Sequence, residues 1–151
     1  MRILLATDGT VHSQAALDAL TTFNLTTDDE VKIVSVVDMA VPLTVDMYGG
    51  YVPATAEIEK AARENAQRIL EESSREIKDK LTDRNVSVST EALFGSPESR
   101  IVETAEEMHA DLIIVGSHGY NRWERLLLGS VSDSVVHHAP CSVLVVRTPK
   151  K

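Results

Sequence analysis

Three glycines toward the carboxyl end of the chain, Gly116, Gly119 and Gly129, are spaced as a loop for an anionic ligand. Gly116-Ser117-His118-Gly119 follows an apolar run, nine residues intervene, and Gly129-Ser130-Val131-Ser132 opens a helical pattern. Glycine has no Cβ, so the backbone at these positions is expected to take positive φ and to approach a ligand closely. The first N–H groups of a helix, here around Ser130, Val131 and Ser132, lack carbonyl partners and lie at its positive end. Phosphate suits that position. The hydroxyls of Ser130 and Ser132 add donors that rotate to suit. Each piece also has a structural reading, with Gly116 as a strand stop and Ser130 with Asp133 as a capping box. The joint spacing favours a ligand.

Other reactive side chains are less organised. His118 is a loop histidine with no nearby acid, able to touch a phosphate or do nothing. His137-His138 ends a helical pattern, where cations complement the dipole, and adjacent histidines point in different directions, against a shared metal. Arg122 and Arg125 are the positive side chains of the glycine loop, beside Glu124. Tyr48 and Tyr51 flank Gly49-Gly50, either as a flap or by chance. Cys141, the only cysteine, precedes an apolar run and reads as a small core residue rather than a nucleophile. No Gly-x-Ser-x-Gly elbow, no lysine-bearing phosphate loop and no Gly-x-Gly-x-x-Gly fingerprint occurs.

Composition narrows the function further. Twenty-three acids against 15 bases give a net charge of −8, which opposes nucleic-acid binding, where Lys and Arg must release phosphate counterions. A small anion held by backbone N–H groups stays compatible. A lone cysteine excludes an internal disulfide and fits a reducing compartment. The N-terminus reaches Asp8 too early for a secretory leader, and no apolar run nears the ~20 residues that span a bilayer. A cytoplasmic protein without membrane segments is expected. The 151 residues, 43% hydrophobic and 25% charged, are expected to form one domain over 1–151.

The elements that must position the loop follow from periodicity. Residues 2–6 are a short apolar run stopped by Thr7-Asp8-Gly9, a buried strand. Ser13 can cap a helix carrying Ala16, Leu17, Leu20 and Phe23. Residues 31–37 are a second buried strand ending at Asp38. Pro42, Gly49-Gly50 and Pro53 exclude a long element over 39–54. Ile58, Ala62, Ala66, Ile69, Leu70, Ile77 and Leu81 form one helical stripe over about 55–83. Glu59/Arg63, Glu64/Arg68 and Glu71/Arg75 are spaced to pair on its wet face. Alternation from Val86 to Phe94 predicts a half-exposed or edge strand. Pro97 starts a helix with Ile101, Val102, Ala105 and Met108 inward. Residues 112–115 form a central strand, 131–138 a short helix and 142–147 the last strand. Strands alternating with helices predict an α/β fold, a parallel sheet covered on both faces. Ligands in such sheets lie beyond the carboxyl ends of the strands where strand order reverses. That points to Thr7-Asp8, residues 36–38, Gly95-Ser96 and the residues after Gly116.

The glycine spacing, with Ile3-Leu4-Leu5-Ala6-Thr7-Asp8-Gly9, Gly95-x-Pro97, Ala110-Asp111-Leu112-Ile113-Ile114-Val115-Gly116 and Pro140-Cys141-Ser142-Val143-Leu144-Val145-Val146, resembles the ATP-binding branch of the universal stress protein family. The resemblance runs over almost the whole chain. It implies a five-stranded parallel sheet of order 3-2-1-4-5, Rossmann-like, with helices on both faces. It places Asp8 near the ribose hydroxyls, with Ala6 and Thr7 lining the pocket, and gives the backbone of Val36 the adenine. Gly116 would lie beside the ribose, while Ser117, His118, Gly119, Asn121 and Arg122 wrap the phosphates. Gly129, Ser130, Val131 and Ser132 would hold the terminal phosphates. ATP, or ADP or AMP, is the implied ligand, with Mg²⁺ or Mn²⁺ held mainly by phosphates and water. The family also implies a homodimer through Val143, Leu144, Val145 and Val146, and a regulatory role in the stress response. A slow ATPase, a protein phosphorylating its own Ser130 or Ser132, and a scaffold without nucleotide are the alternatives. No general base with an arranged partner supports efficient catalysis.

Overall fold

Apolar runs of four to eight residues, too short for helices and bounded by turn residues, become neighbouring strands of one sheet. The computed structural model describes residues 1–38, 44–45, 51–52, 56–117 and 128–148. Its main sheet contains β1 (Arg2–Ala6), β2 (Glu30–Val37), β5 (Ser87–Phe94), β6 (Leu112–Gly116) and β7 (Ser142–Val146). All pairings are parallel, in the order β5-β2-β1-β6-β7. Counting only these five strands, this is the expected 3-2-1-4-5. A separate antiparallel pair, β3 (Thr44–Val45) and β4 (Tyr51–Val52), falls in the segment where prolines and glycines exclude anything longer.

Central strands buried on both faces must be apolar at every position, and Ile3, Leu4 and Leu5 of β1 are fully buried. Alternate residues serve opposite layers. Ile3 and Leu5 pack with Leu17 and Leu20 of α1 (Val11–Thr21) and Leu70 and Ile77 of α2 (Ala56–Lys80). Leu4 packs with Ile101 and Ala105 of α3 (Pro97–Glu107) and Val135 of α4 (Ser130–His138). Each such leucine contributes roughly 1.5–3 kcal/mol by leaving water. The reversal of strand order falls between β1 and β6, so the ends of those strands open a crevice between the layers.

Several local expectations change. Thr10, not Ser13, caps α1: its side chain accepts from the Ser13 N–H, while Ser13 itself is buried in the first turn. Ile58 leaves the predicted stripe and is 58% exposed. The cause is length. A 25-residue helix runs about 37 Å, whereas the eight residues of β5 span about 26 Å. Arg63 already stands level with the end of β5, its guanidinium 4.0 Å from the Phe94 ring centroid, so Ile58 projects past the sheet. Ser73 and Ser74 join the buried face instead.

The wet-face pairs also differ. Glu64 lies 3.8 Å from Lys60, Arg68 bonds Glu72 at 3.0 Å, and Arg63 takes the aromatic ring. Exposed partners exchange at little cost, which is why spacing alone does not select among them. The strand expected at an edge is one, but its most buried residue is Leu93. Leu93 belongs to the α3–α4 layer, whereas Val88 and Ala92 pack against the other.

Candidate functional site

The carboxyl ends of the strands open into a cleft of about 540 Å³, within the range of small-ligand sites. Ala6, Thr7, Asp8, Val36, Gly116, Gly129, Ser130, Val131 and Ser132, all singled out from the sequence, line it. Ser117 does not line it and is 2% exposed. His118, Gly119, Asn121 and Arg122 lie outside the described residues, as do Tyr48 and Arg125.

At the end of β1 the Thr7 N–H bonds the Val34 carbonyl at 2.9 Å, closing the β1–β2 ladder. The Thr7 hydroxyl meets Ser13 Oγ at 3.1 Å. Asp8 Oδ1 then accepts from the Thr10 N–H at 3.0 Å and the Thr10 hydroxyl at 2.7 Å, a side-chain turn that launches α1. The other Asp8 oxygen, Oδ2, makes no hydrogen bond among the described residues. Turn acid and cleft acid are thus one residue using two oxygens.

Strand β2 runs three residues beyond its pairing with β1, which ends at Val34. Backbone groups along a strand point to the same side at every second residue. The Val34 carbonyl faces β1, through Thr7, and the Val37 carbonyl faces the other way, accepting from the Gly95 N–H at 3.0 Å. Val36 therefore turns its N–H and carbonyl to the side of β1, past the point where β1 has ended. It offers one donor and one acceptor at the crevice.

Gly116 and Gly129, the two loop glycines among the described residues, work differently from the expectation of positive φ. A Cβ on Gly116 would lie 2.6 Å from the His12 carbonyl oxygen and 3.0 Å from the Ser13 nitrogen. The requirement is for the first turn of α1 to close on β6. Gly129 has φ −64° and ψ 155°, ordinary extended backbone, and is the N-cap of α4. Positive φ falls on Gly9 and Gly95 instead. The Ser130–Asp133 capping box does not form, because Ser130 is already the first helical residue and no side chain caps α4.

Ser117 ties this region together. Its N–H bonds the Val146 carbonyl at 2.8 Å, and its carbonyl accepts from the Gly129 N–H at 2.8 Å and from Ser132 Oγ at 3.1 Å. The two ends of the glycine loop are therefore neighbours, held on β7.

Three helices start at the cleft, and their positive ends differ. At α1 the Thr10 side chain and Asp8 supply acceptors. At α3 Pro97 removes one N–H, and Glu98 is held below the usual carboxylate range by the Ser96 hydroxyl and then by its own N–H. At α4 no side chain caps the end, and the first-turn acid Asp133 turns to His137, 3.8 Å away. The N–H groups of Ser130, Val131 and Ser132 have no carbonyl four residues back within the helix. Among the described residues, the α4 end is thus the one whose N–H groups meet no side-chain acceptor.

Asp38, the end of the 36–38 stretch that strand order points to, also lines the cleft, while Ser13, Val34, Pro97, Glu98, Ile101 and Val115 complete the lining without having been singled out as binding residues. Glu98 had a signal: a proline opening a helix straight after a strand places that helix's first turn at the carboxyl edge. Among the described lining residues, Asp8, Asp38 and Glu98 are acidic and none is basic. Elsewhere, burial first and the Asp111 charge second push the Cys141 thiol above its ordinary value, which suits a packing residue rather than a nucleophile. Nδ1 of His137 and of His138 each meets the carbonyl four residues back at 2.8 Å, so the rings serve separate bonds. Among the described residues no group of His, Cys, Asp and Glu could hold a metal ion, and no helix is long and apolar enough to cross a membrane.

Comparisons with known proteins agree with this architecture. A Staphylococcus aureus (strain USA300) relative named for the universal stress proteins is 36% identical over 148 residues, covering 97% of this chain and 83% of its own. A universal stress protein solved in complex with cAMP superposes with a TM-score of 0.70 at 22% identity, over 99% of this chain and 98% of the other. An Arabidopsis thaliana family protein with AMP bound gives 0.64 at 17% identity, over 99% and 92%. These last two speak to the fold. The universal stress protein family matches residues 1–147, and the chain belongs to that family.

Proposed function

We propose that the cleft binds an adenine nucleotide, ATP foremost with ADP and AMP as further ligands, and that occupancy regulates the protein rather than feeding efficient catalysis. One observation carries the reading: among the described residues, the α4 end is the one of the three helix ends at the cleft whose first N–H groups meet neither a capping side chain nor a carboxylate, its first-turn Asp133 lying 3.8 Å from His137. Phosphates belong there, and the carboxylates of Asp8 and Glu98 repel them from the other two ends. Polarity then orients the ligand. The ribose falls beside Asp8 Oδ2, and the base lies between the apolar side chains of Val36 and Ile101. Val36's donor and acceptor match the adjacent amine and ring nitrogen of adenine. That solved relatives carry cAMP and AMP supports an adenine nucleotide.

Mg²⁺ or Mn²⁺ would ride on the phosphates and water, with the phosphate-wrapping roles of His118, Gly119, Asn121 and Arg122 carried by the family resemblance. The same reading makes the chain one nucleotide-binding domain of a cytoplasmic homodimer. Val143, Leu144, Val145 and Val146 are half-buried on edge strand β7. A bare apolar edge calls for a partner strand.

The test is mass spectrometry of nucleotide released by denaturing the purified protein, followed by calorimetric titration with ATP, ADP and AMP. Saturable binding of at least one adenine nucleotide is expected. Failure of all three to bind refutes the assignment. Incubation with labelled ATP separates a regulator from a slow ATPase or a chain that labels Ser130.

A further inference from the structure

The phosphate site needs its backbone donors held in place, and one side chain at the site is committed to that work. Ser132 Oγ lies 3.1 Å from the Ser117 carbonyl and 3.0 Å from the Gly129 carbonyl, and Ser132 is 3% exposed. A hydroxyl has a single hydrogen to donate. Both neighbours are acceptors only, so that hydrogen is directed at protein carbonyls. A phosphate oxygen is also an acceptor, and gains nothing from a hydroxyl whose proton is engaged elsewhere. Ser130 differs: it is exposed, at the first position of α4.

We propose that Ser132 is a positioning residue, whose hydroxyl clasps Ser117 to Gly129 and so aims the N–H groups of the first α4 turn at the phosphate. This rests on the nucleotide reading above and departs from the family-based expectation that the Ser132 side chain holds a terminal phosphate. The clasp has two strands. The Gly129 N–H bonds the Ser117 carbonyl at 2.8 Å, and Ser132 Oγ reaches that same oxygen. Ser117 is fixed in turn to β7 through the Val146 carbonyl at 2.8 Å. Removing the hydroxyl leaves Gly129 held by one bond, with the α4 end free to drift from the end of β6.

The experiment compares the full-length protein with Ser132→Ala, titrating adenosine, AMP, ADP and ATP, with melting curves to establish folding. Loss of one hydrogen bond at the clasp is expected to weaken AMP, ADP and ATP by a common factor, roughly fivefold to tenfold, and to leave adenosine unchanged. A loss confined to ATP, or growing with each phosphate, would show direct contact and overturn the proposal. So would an unchanged affinity for all three. A ligand-free measurement separates this from the site assignment. Exchange of the Gly129 amide should quicken by a similar factor in Ser132→Ala, and unchanged exchange overturns the clasp whether or not nucleotide binds. If the parent protein binds no nucleotide while Gly129 exchange responds, the site assignment fails and the clasp stands. Ser132→Cys, which keeps a weak donor, serves if the alanine variant does not fold, with an intermediate exchange rate expected and a parental one refuting.

Discussion

Gly116→Ala separates packing from ligand contact at the first glycine of the loop. The added Cβ would stand 2.6 Å from the His12 carbonyl oxygen and 2.7 Å from its carbon, both backbone atoms. Ordinary contact begins near 3.4 Å, so the start of α1 must retreat by about 0.8 Å from β6. No side chain can turn aside to relieve the clash. Overpacking of this kind costs about 1–3 kcal/mol. For a chain of this size each kcal/mol lowers the melting temperature by about 2–4 °C, so a fall of roughly 2–12 °C is expected without any ligand present. The control is Gly129→Ala, where φ of −64° accepts any side chain. Its cost should stay within about 1 kcal/mol, the modest preference for glycine over alanine at an N-cap. The assay is thermal and urea unfolding of both variants, free of nucleotide. Should Gly116→Ala melt with the parent, or Gly129→Ala lose more than Gly116→Ala, the packing account of Gly116 is wrong.

Four further outcomes follow from the same geometry. Asp8→Asn keeps an oxygen for Thr10 but loses the charge, so it should weaken ATP, ADP and AMP alike; calorimetry showing loss of ATP alone would contradict a ribose role. In β7 the Val146 carbonyl faces β6, so Val145, one residue away, points its N–H outward, and Val145→Pro should yield a monomer by sedimentation while circular dichroism stays parental. A parental dimer in that variant would refute pairing through the strand. Cys141, its thiol pushed up chiefly by burial, should react with iodoacetamide at pH 8 more slowly than in urea, and equal rates would contradict its burial. Glu98 has a depressed folded value, so its contribution is present above the unfolded carboxylate value and fades as pH falls through the folded one. Partial exposure makes the effect small; urea midpoints should fall slightly less toward acid in Glu98→Gln than in the parent, and a steeper acid loss in the variant would reverse the sign of the argument.

The sequence was most informative where a pattern repeats. Ile3, Leu4 and Leu5 read as a strand buried on both faces, since the apolar run is too short for a helix and stops at Thr7-Asp8-Gly9. Ala66, Ile69, Leu70, Ile77 and Leu81 had to share a helix face. The alternation of those runs with helices, together with the family spacing, was enough for the parallel sheet and for the edge of it that carries the cleft. Periodicity says nothing of how far a helix overruns its sheet, and Ile58 followed the pattern into solvent. It is equally silent on which charges pair, since Arg63 had an acid at helical spacing and took the ring of Phe94 from another strand.

The glycine loop shows the same division. Composition and spacing alone determined that Gly116, Gly129 and Ser130 belong at one strand-to-helix junction, because a buried strand, a loop and a helix start are local facts. What each does was decided in three dimensions. Gly116 answers to the backbone of α1, about a hundred residues earlier in the chain, and no local rule contains that neighbour. Ser132 looks like Ser130 in one dimension, yet the carbonyls of Ser117 and Gly129 lie within its reach and share its hydrogen. Val36 became a donor and acceptor at the crevice only because β1 stops two residues short of it, and Glu98 entered the cleft only because α3 begins at the same edge of the sheet. Local sequence fixes what a residue can offer, and tertiary contacts decide which of its hydrogen-bonding groups are already used.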